Sequence, residues 1–311
     1  MFLKKDEYLH QYKKSADWTE SFSINIIDKK NRIFGFADVD YLFNKKQIEF
    51  NYLFVIHDEI YRYDNIIPFN IKFEEKTVTD KKFAYIIASP HESFQLNLKG
   101  KDLTGNLKLS ALFPAYVFPT SMPAGEEEEI VEDITLWDRY IQRCRVKGGF
   151  SLKTAAKKEK KVRVECFAQR EHQWGFRLKD RILSHSNIAV QFRDMLMNLT
   201  YIEFDKGIYS NGIFSRKSGN IPIQNVECEL ISFDKKKNEI NSSEFSFTDA
   251  HDEVDLVVSR KIHSIRMPVQ KNKSGKFIRF RNFSDFTIVG TNKKGVGMEE
   301  HYISIDRLGK F

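Results

Sequence analysis

Cysteine is scarce in this 311-residue chain. Cys144, Cys166 and Cys228 form an odd, widely spaced set that makes a poor disulfide framework and points to a reducing compartment. Proline and glycine are also sparse, at 7 and 15 residues, which excludes collagen-like and low-complexity chains. No apolar run reaches the roughly 18 residues of a membrane-spanning helix. The stretch Met1 to Gln11 is charged early and has no apolar core or cleavage signal, so no export is implied and a cytoplasmic location is expected. There is no Walker loop, dinucleotide fingerprint, nucleophile elbow or cysteine knuckle, and no helix with two histidines one turn apart. The expectation is therefore no cofactor and no metal. His10, His57, His185, His251, His263 and His301 are scattered, and a zinc site would need folding to bring several together; His91 beside Glu92 reads as a turn.

What the chain has instead is aromatic bulk. Aromatics make up 14 %, with 27 phenylalanines, and hydrophobic residues 41 %, which excludes a disordered chain. The net charge of +7 is carried mainly by lysine, with runs at Lys157 to Lys161, Lys235 to Lys237 and Lys271 to Lys276. Each run sits between strand-like segments, where lysines solvate a hairpin tip. A nucleic-acid binder would interleave such charges with exposed aromatics, but the aromatics here fall at inward positions. No nucleic-acid partner is expected, and at most peripheral membrane contact.

Apolar residues recur at every second position: Phe22, Ile24, Ile26; Ile48 to Ile56; Ile67, Phe69, Ile71, Phe73; Phe83, Tyr85, Ile87; Phe94, Leu96, Leu98; and Leu103 to Phe113. That is strand periodicity, and the short turns between segments force antiparallel neighbours. So many antiparallel strands with few helices must become sandwiches or closed barrels. A proline-punctuated stretch through Pro114, Pro119 and Pro123 and the acidic run Glu126 to Glu129 reads as a surface excursion. Strands then resume from Ile134 to the last strand at Met298 to Ile305. Phe2 to Tyr12 suits a short helix, and Phe192 to Leu199 is ambiguous between helix and strand. The length favours two domains, residues 1–155 and 156–311, with the boundary near 150–160.

Val162 to Arg177 carries the most information. Alternation turns Val162, Val164, Cys166, Ala168, Arg170, His172 and Trp174 inward, so the interior face changes from small and apolar to a guanidinium, an imidazole and an indole, followed by Gly175 and Arg177. Buried charge is costly unless paired. One explanation is structural: the arginines tie the two domains together, His172 makes a core hydrogen bond, and Trp174 plugs a barrel end. The other is functional: these groups line the polar end of an apolar pocket, His172 exchanging a proton and the indole face stabilising positive charge. Trp18, Glu20, Phe22, Ile24 and Ile26 share another inward face. Glu20 is either the ion-pair partner of an inward arginine or a general acid. Gly295 and Gly297 open the last strand by permitting a bulge or close backbone approach. Alternation puts Met298, Glu300 and Tyr302 on one face, with Glu300 expected to pair with an arginine of the Arg170 to Arg177 segment.

Trp18-Thr19-Glu20, Gln142 and Gly148, the run Arg170-x-His172-x-Trp174-Gly175-x-Arg177, and Gly295-x-Gly297-x-Glu299 together resemble the AttH and carotenoid 1,2-hydratase-like superfamily over nearly the whole chain. The resemblance implies an all-β chain of two lipocalin-like antiparallel barrels in tandem, with a hydrophobic ligand of isoprenoid, fatty acyl or polyketide type. It implies hydratase chemistry on an alkene, cyclase or isomerase chemistry without a cofactor, or lipid carriage with no turnover. In the first two cases His172 and Glu20 are the catalytic candidates and Arg170, Trp174, Arg177 and Trp18 the ligand-binding ones. Glu171 and Gln173 depart from the hydratase pattern beside the motif. The sequence leaves the oligomeric state open.

Overall fold

The computed structural model describes residues 4–11, 18–68, 75–118, 137–153, 159–176, 182–205, 207–248, 253–272 and 275–308. Within these the chain is almost wholly antiparallel strand. It forms two compact units, Met1–Arg177 and Leu178–Phe311. No helix among the described residues is long and apolar enough to cross a membrane. The alternation at Phe69, Ile71 and Phe73, the acidic run Glu126 to Glu129, and Arg177 lie outside the described residues.

The first unit opens with a single 3-10 turn, Lys4–Glu7, where a short helix is expected. Its strands are β1 (Trp18–Asp28), β2 (Ile33–Leu42), β3 (Gln47–Ile56), β4 (Glu59–Pro68), β5 (Thr77–Thr79), β6 (Phe83–Ser89), β7 (Ser93–Lys99), β8 (Leu103–Ala111), β9 (Tyr116–Val117), β10 (Trp137–Lys153) and β11 (Glu159–Phe176). The ladder runs β4-β3-β2-β1-β11-β10-β8-β7-β6-β5, with β9 on β10. The sheet curls so that one apolar core lies on its concave face, from Ile24, Ile26 and Val39 through Phe50, Phe54 and Phe83 to Leu96, Leu107 and Val164. Among the described residues no backbone ladder joins β4 to β5. Side chains bridge that gap: Tyr63 Oη donates to Asp80 Oδ2 at 2.5 Å and Asn65 Nδ2 to the same oxygen at 2.7 Å.

The second unit contains β12 (Ile182–Gln191), β13 (Met195–Phe204), β14 (Gly207–Arg216), β15 (Gly219–Asp234), β16 (Glu239–Thr248), β17 (Val254–Arg266), β18 (Gln270–Asn272), β19 (Gly275–Ile288) and β20 (Lys294–Ser304). The ambiguous Phe192 to Leu199 stretch is the turn into β13 and its first half. Here the ladder β17-β16-β15-β14-β13-β12-β20-β19 closes on itself, because β17 also pairs with β19. Eight strands thus form a closed antiparallel barrel with no free edge. The all-β tandem architecture expected from the sequence is the one observed, one unit a closed barrel and the other a curled half-barrel.

The units divide after Arg177, not near residue 155. Of the lysine-rich segment at 157–161, residues 159–161 open β11, which pairs with β10 from Lys153↔Glu159 to Trp137↔Gly175 and with β1 on its other side, and residues 157–158 lie outside the described residues. A strand held on both flanks belongs to that sheet. Gly148 lets β10 bend against β8, since at φ +154° a Cβ there would lie 2.0 Å from the Asn106 carbonyl oxygen. Gly297 likewise lets β20 approach β12: a Cβ would fall 2.4 Å from the Ala189 carbonyl oxygen.

Candidate functional site

Three neighbouring strands arrange the site in rows. Their registers place Ile24, Arg170 and Gln142 side by side, then Phe22, His172 and Tyr140, then Glu20, Trp174 and Asp138. With a period of two, these rows share the inward face of the first unit. Glu20, His172 and Tyr140 are wholly buried, and Arg170 and Gln142 nearly so. The inward face of β11 is therefore the one the sequence indicates.

Arg170 is spent on structure. Its Nη2 lies 2.6 Å from Glu7 Oε1, Nη1 donates to Tyr140 Oη at 2.8 Å, and Nε donates to Gln142 Oε1 at 2.8 Å. The guanidinium also lies 3.9 Å over the Phe94 ring. Glu7 Oε1 accepts in addition from Tyr140 at 2.7 Å and lies 3.0 Å from His91 Nδ1. Burial pushes the Glu7 pKa up, but Arg170 and these hydrogen bonds outweigh it and bring it down to about 2. All these partners of Arg170 belong to the first unit, and Glu20 is not among them. Gln142 adds donations to the carbonyls of His91 and Phe113, which makes it a brace for the Arg170 cluster.

Glu20 pairs with histidines instead. His172 Nε2 lies 2.7 Å from Glu20 Oε1, and His10 Nδ1 lies 2.9 Å from the same oxygen. The His10 backbone N–H donates to Glu20 Oε2 at 3.1 Å. His172 Nδ1 lies 3.1 Å from the Asp6 carbonyl oxygen. A carbonyl only accepts, so Nδ1 carries a hydrogen, and Nε2 faces the carboxylate at a distance where a proton taken up is held between the two. Burial raises the Glu20 pKa, but the bonds from His10 and His172 prevail and keep it below the ordinary value. For His172 burial prevails and lowers the pKa, against the pull of Glu20. The rings are held by stacking: Phe22 on His172 at 4.0 Å, and His10 on Trp174 at 3.9 Å. Trp174 thus has one face covered by an imidazole, and its ring centre lies 4.9 Å from that of His172.

Asp6, Glu7 and His10 escape the sequence reading because they sit outside the strands, where no alternation marks an inward side. The signal that remained was Glu20 itself, a buried-side carboxylate that needed partners. Trp18 lies on the same face of β1 and is buried. Glu171 points away from His172 and pairs with Arg139 at 2.9 Å, which accounts for an acidic group beside the motif. Among the described residues, His10, Glu20 and His172 are the one set of three whose ligand atoms, all within 4.8 Å of one another, suit a metal ion.

In the second unit Glu300 forms ion pairs with Arg281, at 2.6 Å, and Arg279, both of its own unit, where an arginine of the Arg170 to Arg177 segment is expected from the sequence. The inward residues of β20 are Glu299 and His301, both fully buried. Glu299 Oε2 lies 3.2 Å from His301 Nε2 and accepts from Ser243 Oγ at 2.5 Å, while Oε1 accepts from Ser284 Oγ at 2.7 Å. Ser186 Oγ lies 2.9 Å from His301 Nδ1. This unit also has a cleft of about 640 Å³ beside the start of β14 and the middle of β15, lined by Tyr201, Val226, Cys228, Glu229 and Glu244 among others, with no histidine in its walls. The proton-exchanging groups and the main apolar core meet in the first unit, so the candidate site lies there.

Solved structures share this fold at about 10 % identity. CghA, crystallised with Sch210972, matches with a TM-score of 0.66 over 93 % of this chain and 89 % of its own. A protein described as AttH from Nitrosomonas europaea matches with 0.68 over 91 % and 92 %. Kievitone hydratase from Nectria haematococca matches with 0.61 over 92 % and 89 %. No curated protein sequence matches the chain. The tandem lipocalin-like architecture is thus the one these proteins share, and by the match of its model to residues 3–303 the chain belongs to the family described as Domain of unknown function (DUF7064).

Proposed function

We propose that the first unit binds a hydrophobic, unsaturated small molecule of isoprenoid, fatty acyl or polyketide type and adds water to it or closes a ring in it. The observation that carries this reading is the buried Glu20–His172 contact at one end of a continuous apolar core. In such a setting water is excluded and a proton taken up between the two groups is aimed at the apolar core, the two requirements for protonating an isolated alkene. The proton shared by His172 and Glu20 goes to one alkene carbon and leaves a cation on the other. The π faces of Trp174 and Trp18 stabilise that cation. Capture by water followed by loss of a proton to the same pair gives hydration; capture by a second double bond followed by proton loss gives cyclisation. Kievitone hydratase, on the same fold, carries the first chemistry in its name.

Lipid carriage without turnover is the rival. An anionic headgroup would need a free cation at the polar end, and Arg170 is fully engaged by Glu7, Tyr140 and Gln142, which favours chemistry. Mass spectrometry of small molecules extracted from purified protein, followed by incubation with polyene and fatty acyl panels, tests the reading. Turnover is expected as a shift of plus 18 mass units or an isomer of new retention, lost in His172→Ala at unchanged circular dichroism. A single bound lipid returned unaltered, or full activity in that variant, defeats it.

A further inference from the structure

We propose that His10 Nδ1, His172 Nε2 and a Glu20 carboxylate oxygen form a three-ligand site for a divalent transition-metal ion of the zinc type. This rests on the geometry alone and not on the proposed reaction, because a cation and the shared proton compete for the same three side chains.

The donor set is the first argument. Two imidazoles and one carboxylate are a ligand set that zinc uses in catalytic sites, with a fourth position taken by water or substrate. A tetrahedral ion with bonds of about 2.0–2.2 Å holds its ligand atoms about 3.4 Å apart. The two nitrogen-to-oxygen separations are 2.7 and 2.9 Å, and no pair among the three exceeds 4.8 Å. Side-chain adjustments of roughly half an ångström would seat the ion, with no movement of strand backbone required.

The second argument concerns the outer ring nitrogens. Metal-bound histidines generally give their other N–H to a carbonyl or carboxylate, which fixes the tautomer and aims the lone pair at the ion. His172 does so here: its Nδ1 lies 3.1 Å from the Asp6 carbonyl oxygen, while His10 Nε2 lies 3.8 Å from the Asp6 carboxylate, beyond hydrogen-bond reach. That leaves His172 Nε2 and His10 Nδ1 as the nitrogens facing Glu20. The third argument is rigidity: Phe22 and Trp174 stack on the two imidazoles and supply an apolar shell that holds them in place. The second unit provides the contrast. Its buried Glu299 is satisfied by one histidine and two serine hydroxyls, a set of hydrogen-bond donors and not of metal ligands.

The test is calorimetric titration of chelator-treated, full-length protein with Zn²⁺ at neutral pH, together with the visible spectrum of the Co²⁺-loaded protein. One equivalent of Zn²⁺ is expected, with the d–d bands of a four- or five-coordinate Co²⁺. His10→Gln and His172→Gln should each weaken binding at least tenfold. His10 lies outside the sheet, so its variant decides the matter should His172→Gln prove unfolded by circular dichroism. Absence of stoichiometric binding to the wild type overturns the proposal, as does wild-type affinity in His10→Gln. Either failure leaves the alkene chemistry standing, since that reading is decided by turnover and not by metal binding.

Discussion

Both units bury a histidine against a glutamate, and the two pairs are built to opposite ends. In the second unit every partner of Glu299 and His301 comes from a strand of a closed barrel, and the hydrogen bonds to the Cys228 sulfur and Glu299 raise the His301 pKa to about 10 although burial opposes this. The imidazolium and carboxylate are locked together. In the first unit burial wins at His172, Glu20 is shared by two imidazoles, and the network is completed by Asp6, Glu7 and His10 from a segment outside the sheet. A polar core whose members all sit in one ladder specifies structure. One finished by a separate segment suits the proton exchange or ion binding proposed for the first unit.

The largest effect that sharpens this contrast is Glu299→Ala. It strands a buried imidazolium and two serine hydroxyls, at an expected cost of about 3–5 kcal/mol in urea unfolding. Glu20→Gln should cost less, about 1–3 kcal/mol, because the amide keeps hydrogen-bond contact and both imidazoles can be neutral. Equal costs would erase the distinction. Glu7→Gln removes the carboxylate that Arg170 relies on, and should destabilise the first unit by about 1.5–3 kcal/mol in the same assay without altering the second.

The smallest effect is a pH trend. The folded-state His301 pKa, about 10, exceeds its ordinary value of 6.5, so the stability it contributes is fully present below pH 6.5 and lost progressively as pH rises toward 10. Wild type should therefore lose stability across that window relative to His301→Gln. A flat difference between the two would show that no proton is held there.

The alternation of β1 and β11 was readable because residues on a strand declare their side by parity; Glu20, Phe22, Arg170, His172 and Trp174 all followed it. At the last strand parity put Met298, Glu300 and Tyr302 on one face but did not point to the buried pair of the other face, Glu299 and His301, whose further partners include serines from strands distant in sequence. The unit boundary was hidden for a similar reason: a lysine-rich tip looks alike whether it ends a hairpin or links two domains. Arg170 finding Glu7, 163 residues away, is a tertiary fact that no local pattern announces.

The way the two sheets finish has one more consequence. To part the barrel wall of the second unit, a solute must break a ladder of backbone hydrogen bonds between β17 and β19. In the first unit, the seam between β4 and the β5–β6 turn is stitched by Tyr63 and Asn65 to a single aspartate, two bonds worth about 1–3 kcal/mol together. Among the described residues, opening the first unit at this seam therefore breaks fewer hydrogen bonds than parting the barrel wall of the second.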